Sequence, residues 1–189
     1  MPFRDGSLDM VFSNLVFQWC NDLDRVLKEC RRVLRPGGVV HFTTFGPDTL
    51  RELRAAWSVA DPAHAHVSRF LDMHDIGDGL VRAGFADPVL DVERHRLAYP
   101  DARSLMRDLK AIGAQNATAG RPRGLTGKTM LARMLAAYEP FRRPDGQLPA
   151  TYEVVFAQGW SPTDARQRLS AREGEVVIPL SRLGRRREL

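Results

Sequence analysis

Four places in this chain carry side chains whose types and spacing could do chemistry. Arg107 and Lys110 stand three residues apart, which on a helix places them on one face. Such a pair can clamp a carboxylate, the guanidinium through two parallel hydrogen bonds and the ammonium as a compact point charge. Arg121 and Arg123 sit in a glycine-rich stretch and suit a phosphate or an acidic partner. Ser13-Asn14-Leu15 ends a short apolar run and is followed by Gln18-Trp19, while Thr43-Thr44-Phe45-Gly46 ends a second run. Taken alone, Trp19 would equally serve as core, Gln18 as a cap, and Arg107 and Lys110 as a solvated face. His64, His66 and His74 with Asp75 match no closed zinc spacing, and no cysteine joins them, so no metal is expected. Cys20 and Cys30 give no disulfide framework.

The elements that must position these residues follow from hydrophobic period and punctuation. Leu8 to Ser13 is an apolar run typical of a buried parallel strand. From Asp22 to Leu34, Leu23, Val26, Leu27, Cys30 and Val33 recur at three and four, which predicts a helix capped by Asn21 or Asp22. Pro36-Gly37-Gly38 stops that helix, and a second strand is expected from Val39 to Phe45. Leu50, Leu53 and Trp57 mark a helix, Asp61 to Arg69 a loop, Asp72 to Ala83 a helix, and Val89 to Leu97 a strand. Asp101 to Ile112 is amphipathic, with Leu105, Leu109 and Ile112 on one side and Arg103, Arg107 and Lys110 on the other. After a long loop from Gly113 to Gly127 come a helix from Thr129 to Tyr138 and a last strand from Thr151 to Trp160, in which Tyr152, Val154 and Phe156 alternate against polar neighbours and are expected to form its inner face.

Strands alternating with helices predict an α/β fold, a doubly wound sheet with a lid-like helical insert. The sheet domain is expected over residues 1–160 with the insert at about 99–148, followed by a weakly structured basic tail over 161–189. In such sheets ligands lie beyond the carboxyl ends of the strands, which points to Ser13-Asn14-Leu15 and to Thr43 through Gly46.

Composition narrows the function. Hydrophobic residues make up 43% and charged residues 27%, ordinary for a globular protein, and there is no apolar run of membrane-spanning length. No signal-peptide pattern opens the chain, so a cytoplasmic location is expected. The net charge of +5 is concentrated in Arg182, Arg185, Arg186 and Arg187 and in the Arg121–Arg123 loop. No aromatic-basic stacking motif accompanies it, so a nucleic-acid partner is not expected, and an acidic protein partner uses the same electrostatics.

Two motifs resemble the class I S-adenosylmethionine-dependent methyltransferases: Asp5-Gly6-Ser7-Leu8-Asp9-Met10-Val11-Phe12-Ser13-Asn14 with Gln18-Trp19, and Val33-Leu34-Arg35-Pro36-Gly37-Gly38. Thr44 to Leu53, Asp72-Met73-His74-Asp75-Ile76-Gly77-Asp78, Leu105 to Ala114 and Pro149 to Glu153 are similar to the malonyl-acyl carrier protein O-methyltransferases of biotin synthesis. The resemblance implies a Rossmann-like sheet of which this chain is the C-terminal portion. It implies methyl transfer from S-adenosylmethionine to the free carboxylate of a malonyl thioester on an acidic acyl carrier protein. Ser13, Asn14, Leu15, Gln18 and Trp19 would wall the cofactor, and Arg107, Lys110, Arg121 and Arg123 would meet the substrate. No acid, base or nucleophile is required, because a carboxylate is ionised at neutral pH. No Gly-x-Gly turn precedes Asp9, so the family pattern implies on the order of a hundred residues upstream of Met1. On that pattern the 189 residues alone are expected to be inactive. The alternative is a non-catalytic methyltransferase-like assembly factor or protein-binding remnant.

Overall fold

The computed structural model describes residues 1–114, 116, 120–121 and 124–163. The first strand, β1, covers Leu8–Asn14. It pairs in parallel with β2, Leu34–Phe45, with Asn14 opposite Thr43. Helix α1, Leu23–Val33, forms the crossover, and Asp22 caps it by accepting from the Arg25 amide. Leu27, Cys30 and Val33 on its inner face are fully buried, and each large apolar side chain so buried contributes on the order of 1.5–3 kcal/mol.

Pro36-Gly37-Gly38 does not stand before the second strand, as the sequence suggested. It lies inside β2 as an irregularity, because Leu8 pairs with Leu34 but Met10 pairs with Val39. Gly37 takes φ +78 there, and a Cβ on Gly38 would come within 3.0 Å of the Asp9 and Arg35 carbonyl oxygens, so the segment needs both glycines.

Helices α2 (Arg51–Ala60) and α3 (Met73–Arg82) follow, then strand β3 (Ala86–Tyr99). Helix α4 (Ala102–Ala111) is capped by Asp101 through the Ser104 amide. Helix α5 (Lys128–Tyr138) and strand β4 (Leu148–Trp160) follow among the described residues. The sheet order is β1-β2-β4-β3, so the last strand lies between the second and the third. Gly38 bonds Ser161 while Gly46 bonds Glu153, which makes β4 antiparallel to β2. Two sequence expectations shift here. Thr151, Glu153, Val155 and Ala157 are the more buried set on β4, with Tyr152, Val154 and Phe156 half-buried. Ile112, expected on the inner face of the fourth helix, is 74% exposed just past its last turn.

The chain divides into two compact units. Unit 1 holds Met1–Thr43, His74–Leu90 and, of the described residues, 156–163. In it α1 and α3 approach closely at Gly79, where a Cβ would lie 3.3 Å from Leu27, and Arg82 pairs with Asp24 at 2.9 Å. Unit 2 holds Thr44–Met73 and Asp91–Val155. Its core joins Leu53 and Trp57 of α2, Leu105 of α4, Met134 and Tyr138 of α5, and Leu148 and Ala150 of β4. The buried Tyr138 hydroxyl donates to the Pro149 carbonyl at 2.8 Å, which satisfies the one polar atom that this ring brings into the core.

Candidate functional site

The carboxyl end of β1 in unit 1 is held by a set of hydrogen bonds to β2. In parallel register with Asn14, Thr43 places its hydroxyl beside the strand end, where it donates to Asn14 Oδ1 at 2.5 Å. The Leu15 amide donates both to that hydroxyl at 3.0 Å and to the Thr43 carbonyl at 3.1 Å. Leu15 is held at φ +52, a left-handed conformation that costs a non-glycine residue on the order of 1 kcal/mol. The neighbouring Ser13 is buried, and its hydroxyl has no hydrogen-bond partner among the described residues. A buried hydroxyl without a partner is costly, and here it lies beside a left-handed turn at a strand end.

Gln18 and Trp19 follow in a short 3-10 turn, Phe17–Trp19. The Phe17 ring packs on Phe42 at 4.9 Å, while Trp19 is 53% exposed, so the tryptophan is not a core residue here.

The end of β2 organises unit 2. Phe45 meets Phe70 edge-on at 5.5 Å and Tyr152 at 5.9 Å, forming a half-buried aromatic corner. Burial pushes the Tyr152 phenol above its ordinary range, with Tyr99 beside it. Gly46 then turns the chain against Glu153, whose Oε2 would lie 2.6 Å from a Cβ at that position. Glu153 is 4% exposed and fully engaged: it accepts from the Asp48 amide at 2.8 Å and from Arg94 at 2.8 Å. Thr49 and Glu153 bond each other twice, hydroxyl to carbonyl and amide to hydroxyl, both at 3.0 Å. Glu52, equally buried, accepts from the Thr151 amide at 3.0 Å and the Thr151 hydroxyl at 2.5 Å. These buried carboxylates are hydrogen-bonded within the fold.

The sequence-predicted residues fall into two groups. Ser13, Asn14, Leu15, Gln18 and Trp19 all lie within seven residues in unit 1. Arg107, Lys110 and Arg121 lie in unit 2, all exposed, the first two on the outer face of α4. Arg123 and the arginine-rich tail lie outside the described residues. No group of three or more metal-ligating side chains occurs among the described residues. His66 instead stacks on Trp57 at 3.9 Å, and Asp61 bonds both His66 at 2.8 Å and His64 at 3.0 Å. Those bonds hold the Asp61 carboxyl below its ordinary range, His66 first. No helix among the described residues is long and apolar enough to cross a membrane.

Sequence reasoning placed Thr43 at a strand end but not its bond to Asn14; the parallel register of the two strands brings the two together. Phe70 and Tyr152 come from distant segments and carry no local signal.

Comparison with known proteins adds to this geometry. Residues 1–42 match a methyltransferase domain. The chain is 58% identical over 162 residues to the malonyl-[acyl-carrier protein] O-methyltransferase of Methylovorus sp. (strain MP688), a match that covers 86% of this chain and 54% of the relative. It is 56% identical over 178 residues to the protein of the same name from Laribacter hongkongensis (strain HLHK9), covering 94% of this chain and 59% of the relative. The corresponding Halorhodospira halophila protein is 51% identical over 189 residues, with 99% of this chain and 63% of the relative covered. The chain thus spans just over half to under two thirds of the length of these relatives. A Bacillus halodurans C-125 crystal structure described as a methyltransferase shares the fold at TM-score 0.56 and 16% identity, covering 86% of this chain and 74% of that one. The fold is that of a class I methyltransferase.

Proposed function

We propose that this chain serves, within a malonyl-acyl carrier protein O-methyltransferase, in methyl transfer from S-adenosylmethionine to the free malonyl carboxylate during biotin synthesis. The observation that carries this reading is the identity with the malonyl-acyl carrier protein methyltransferases along nearly the whole chain. The geometry at β1 supports it. The partnerless buried Ser13 hydroxyl and the left-handed Leu15 fit a group bound at the strand end, with Asn14, Gln18 and Trp19 completing the wall. Bound there, S-adenosylmethionine would supply an electrophilic methyl group.

The chain's own work is positioning. The malonyl carboxylate is already the nucleophile, so a C–O bond forms as the S–C bond breaks and no proton moves. That asks for orientation, an anion clamp and exclusion of water. Arg107 and Lys110 of α4 are the proposed clamp on the carboxylate, and Arg121 the contact to the acidic carrier. The buried carboxylates of unit 2 are all engaged, in keeping with a reaction that needs no general base.

The 189 residues by themselves are expected to bind S-adenosylmethionine weakly or not at all, because the glycine-rich turn of that family is not among them. Saturable binding by calorimetry would contradict this. The pathway assignment is tested by growth. A bacterium deprived of its own malonyl-carrier methyltransferase should grow without biotin when given this chain joined to the part of the Methylovorus relative that it does not span. Growth only on added biotin would speak against the reading.

A further inference from the structure

Unit 2 contains a cavity of about 640 Å³ that the reading above does not use. Its walls include Arg51 and Glu52 from the first turn of α2, Arg96 from β3, and Phe141, Arg143 and Pro149 from the segment entering β4. Three arginine side chains and one glutamate therefore contribute to one mostly apolar wall. The carboxylate is committed: Glu52 takes the Thr151 amide and hydroxyl and lies 3.4 Å from Arg51. Two nearby acids lie outside the wall, Asp48 at 3.5 Å from Arg51 and Asp145 at 2.9 Å from Arg143. Both are half-exposed pairs, which an incoming anion can replace at little cost. Arg96 forms no ion pair among the described residues. Its neighbour on the same face of β3, Arg94, is taken by Asp48 and Glu153.

A phosphate group answers this arrangement better than a carboxylate. Its several oxygens can each accept from a guanidinium fork, and arginine is the side chain suited to such bidentate contact. Phe141 and Pro149 supply an apolar wall beside the charges for the carbon chain of an ester. We infer that the Arg51–Arg96–Arg143 cavity receives a phosphate ester and, resting on the function proposed above, that this is the phosphodiester of the phosphopantetheine arm carrying the malonyl group. The arm's anchor is then this cavity rather than the Arg121 loop.

The test is calorimetric binding of 4′-phosphopantetheine, pantetheine and inorganic phosphate to the 189-residue chain at low salt, with Arg96→Gln and Arg143→Gln beside it. Phosphopantetheine is expected to bind saturably and to weaken as salt rises. Pantetheine and inorganic phosphate should each bind at least about tenfold more weakly, and each variant should lose about tenfold while keeping the parent circular dichroism. Equal affinity for pantetheine, or unchanged affinity in both folded variants, would overturn the inference. So would inorganic phosphate binding as tightly as phosphopantetheine, since free phosphate would then be the ligand. None of these readouts needs a methyl donor. Arm binding without any methyl transfer by the joined protein would count against the proposed function alone. Methyl transfer that survives Arg96→Gln undiminished would count against this inference alone.

Discussion

Ser13 shows how a single hydroxyl separates a stability role from a binding role. Its oxygen is buried and finds no partner among the described residues, so Ser13→Ala removes an uncompensated polar group and leaves a small apolar one. The variant is expected to match or exceed the parent in stability by up to about 1 kcal/mol in urea unfolding. A loss of 2 kcal/mol or more would mean that the hydroxyl is bonded within the fold. The two cysteines make a second residue-scale contrast. Burial pushes the Cys30 thiol up to about 11, whereas Cys20 is exposed. Since the thiolate is the reactive form, iodoacetamide at mildly alkaline pH should label Cys20 and spare Cys30 until the chain is unfolded. Asp61 adds a pH dependence. Its folded carboxyl sits below the ordinary value of 3.8 because of His66 and His64. A depressed acid contributes stability above its unfolded pKa and loses it as pH falls through the folded one. Urea midpoints should therefore decline from about pH 5 downward, less steeply in Asp61→Asn; parallel declines in the two proteins would refute this role.

At the scale of elements, the junction of β2, α2 and β4 rests on buried acids that local pattern does not disclose. Thr151→Val removes one of the two donors that Thr151 gives the buried Glu52 carboxylate, the hydroxyl, and leaves the backbone amide in place. That change is expected to cost about 1–3 kcal/mol in unfolding experiments. Gly46→Ala drives a Cβ to 2.6 Å from a Glu153 oxygen already fixed by Asp48 and Arg94, which should destabilise by a similar amount. A neutral effect of either would show that the network relaxes freely. The same network explains what the sequence did and did not disclose. Helices α1 to α5 were legible because their apolar residues recur at three and four, and Asp22 and Asp101 announced two of their starts. The start of β2 was not, because Pro36-Gly37-Gly38 has the composition of a turn and becomes a bulge only through hydrogen bonds to Ser161, far along the chain. The buried face of β4 was misread for a related reason. Thr151 and Glu153 look like solvent-facing polar residues until Glu52 and Thr49 satisfy them. At the candidate site, Ser13 to Leu15 could be found as a strand end, but the arginines of the unit 2 cavity come from α2, β3 and the approach to β4 and form no sequence motif.

For the whole molecule, the features on which the proposals rest lie in two units: a strand-end turn with an unpartnered hydroxyl in unit 1, and cationic side chains on α4 and around a cavity in unit 2. The buried acids Glu52 and Glu153 of unit 2 are bonded within the fold, and the proposed methyl transfer takes its nucleophile from the substrate. The most direct measurement is transfer of labelled methyl from S-adenosylmethionine by this chain joined to the part of the Methylovorus relative that it does not span. Malonyl-acyl carrier protein and acetyl-acyl carrier protein would be the paired acceptors. The account expects a base-labile methyl ester on the malonyl carrier and no label on the acetyl carrier, which lacks a free carboxylate. Equal labelling of both carriers, or label on neither from a folded protein that binds S-adenosylmethionine, would contradict it.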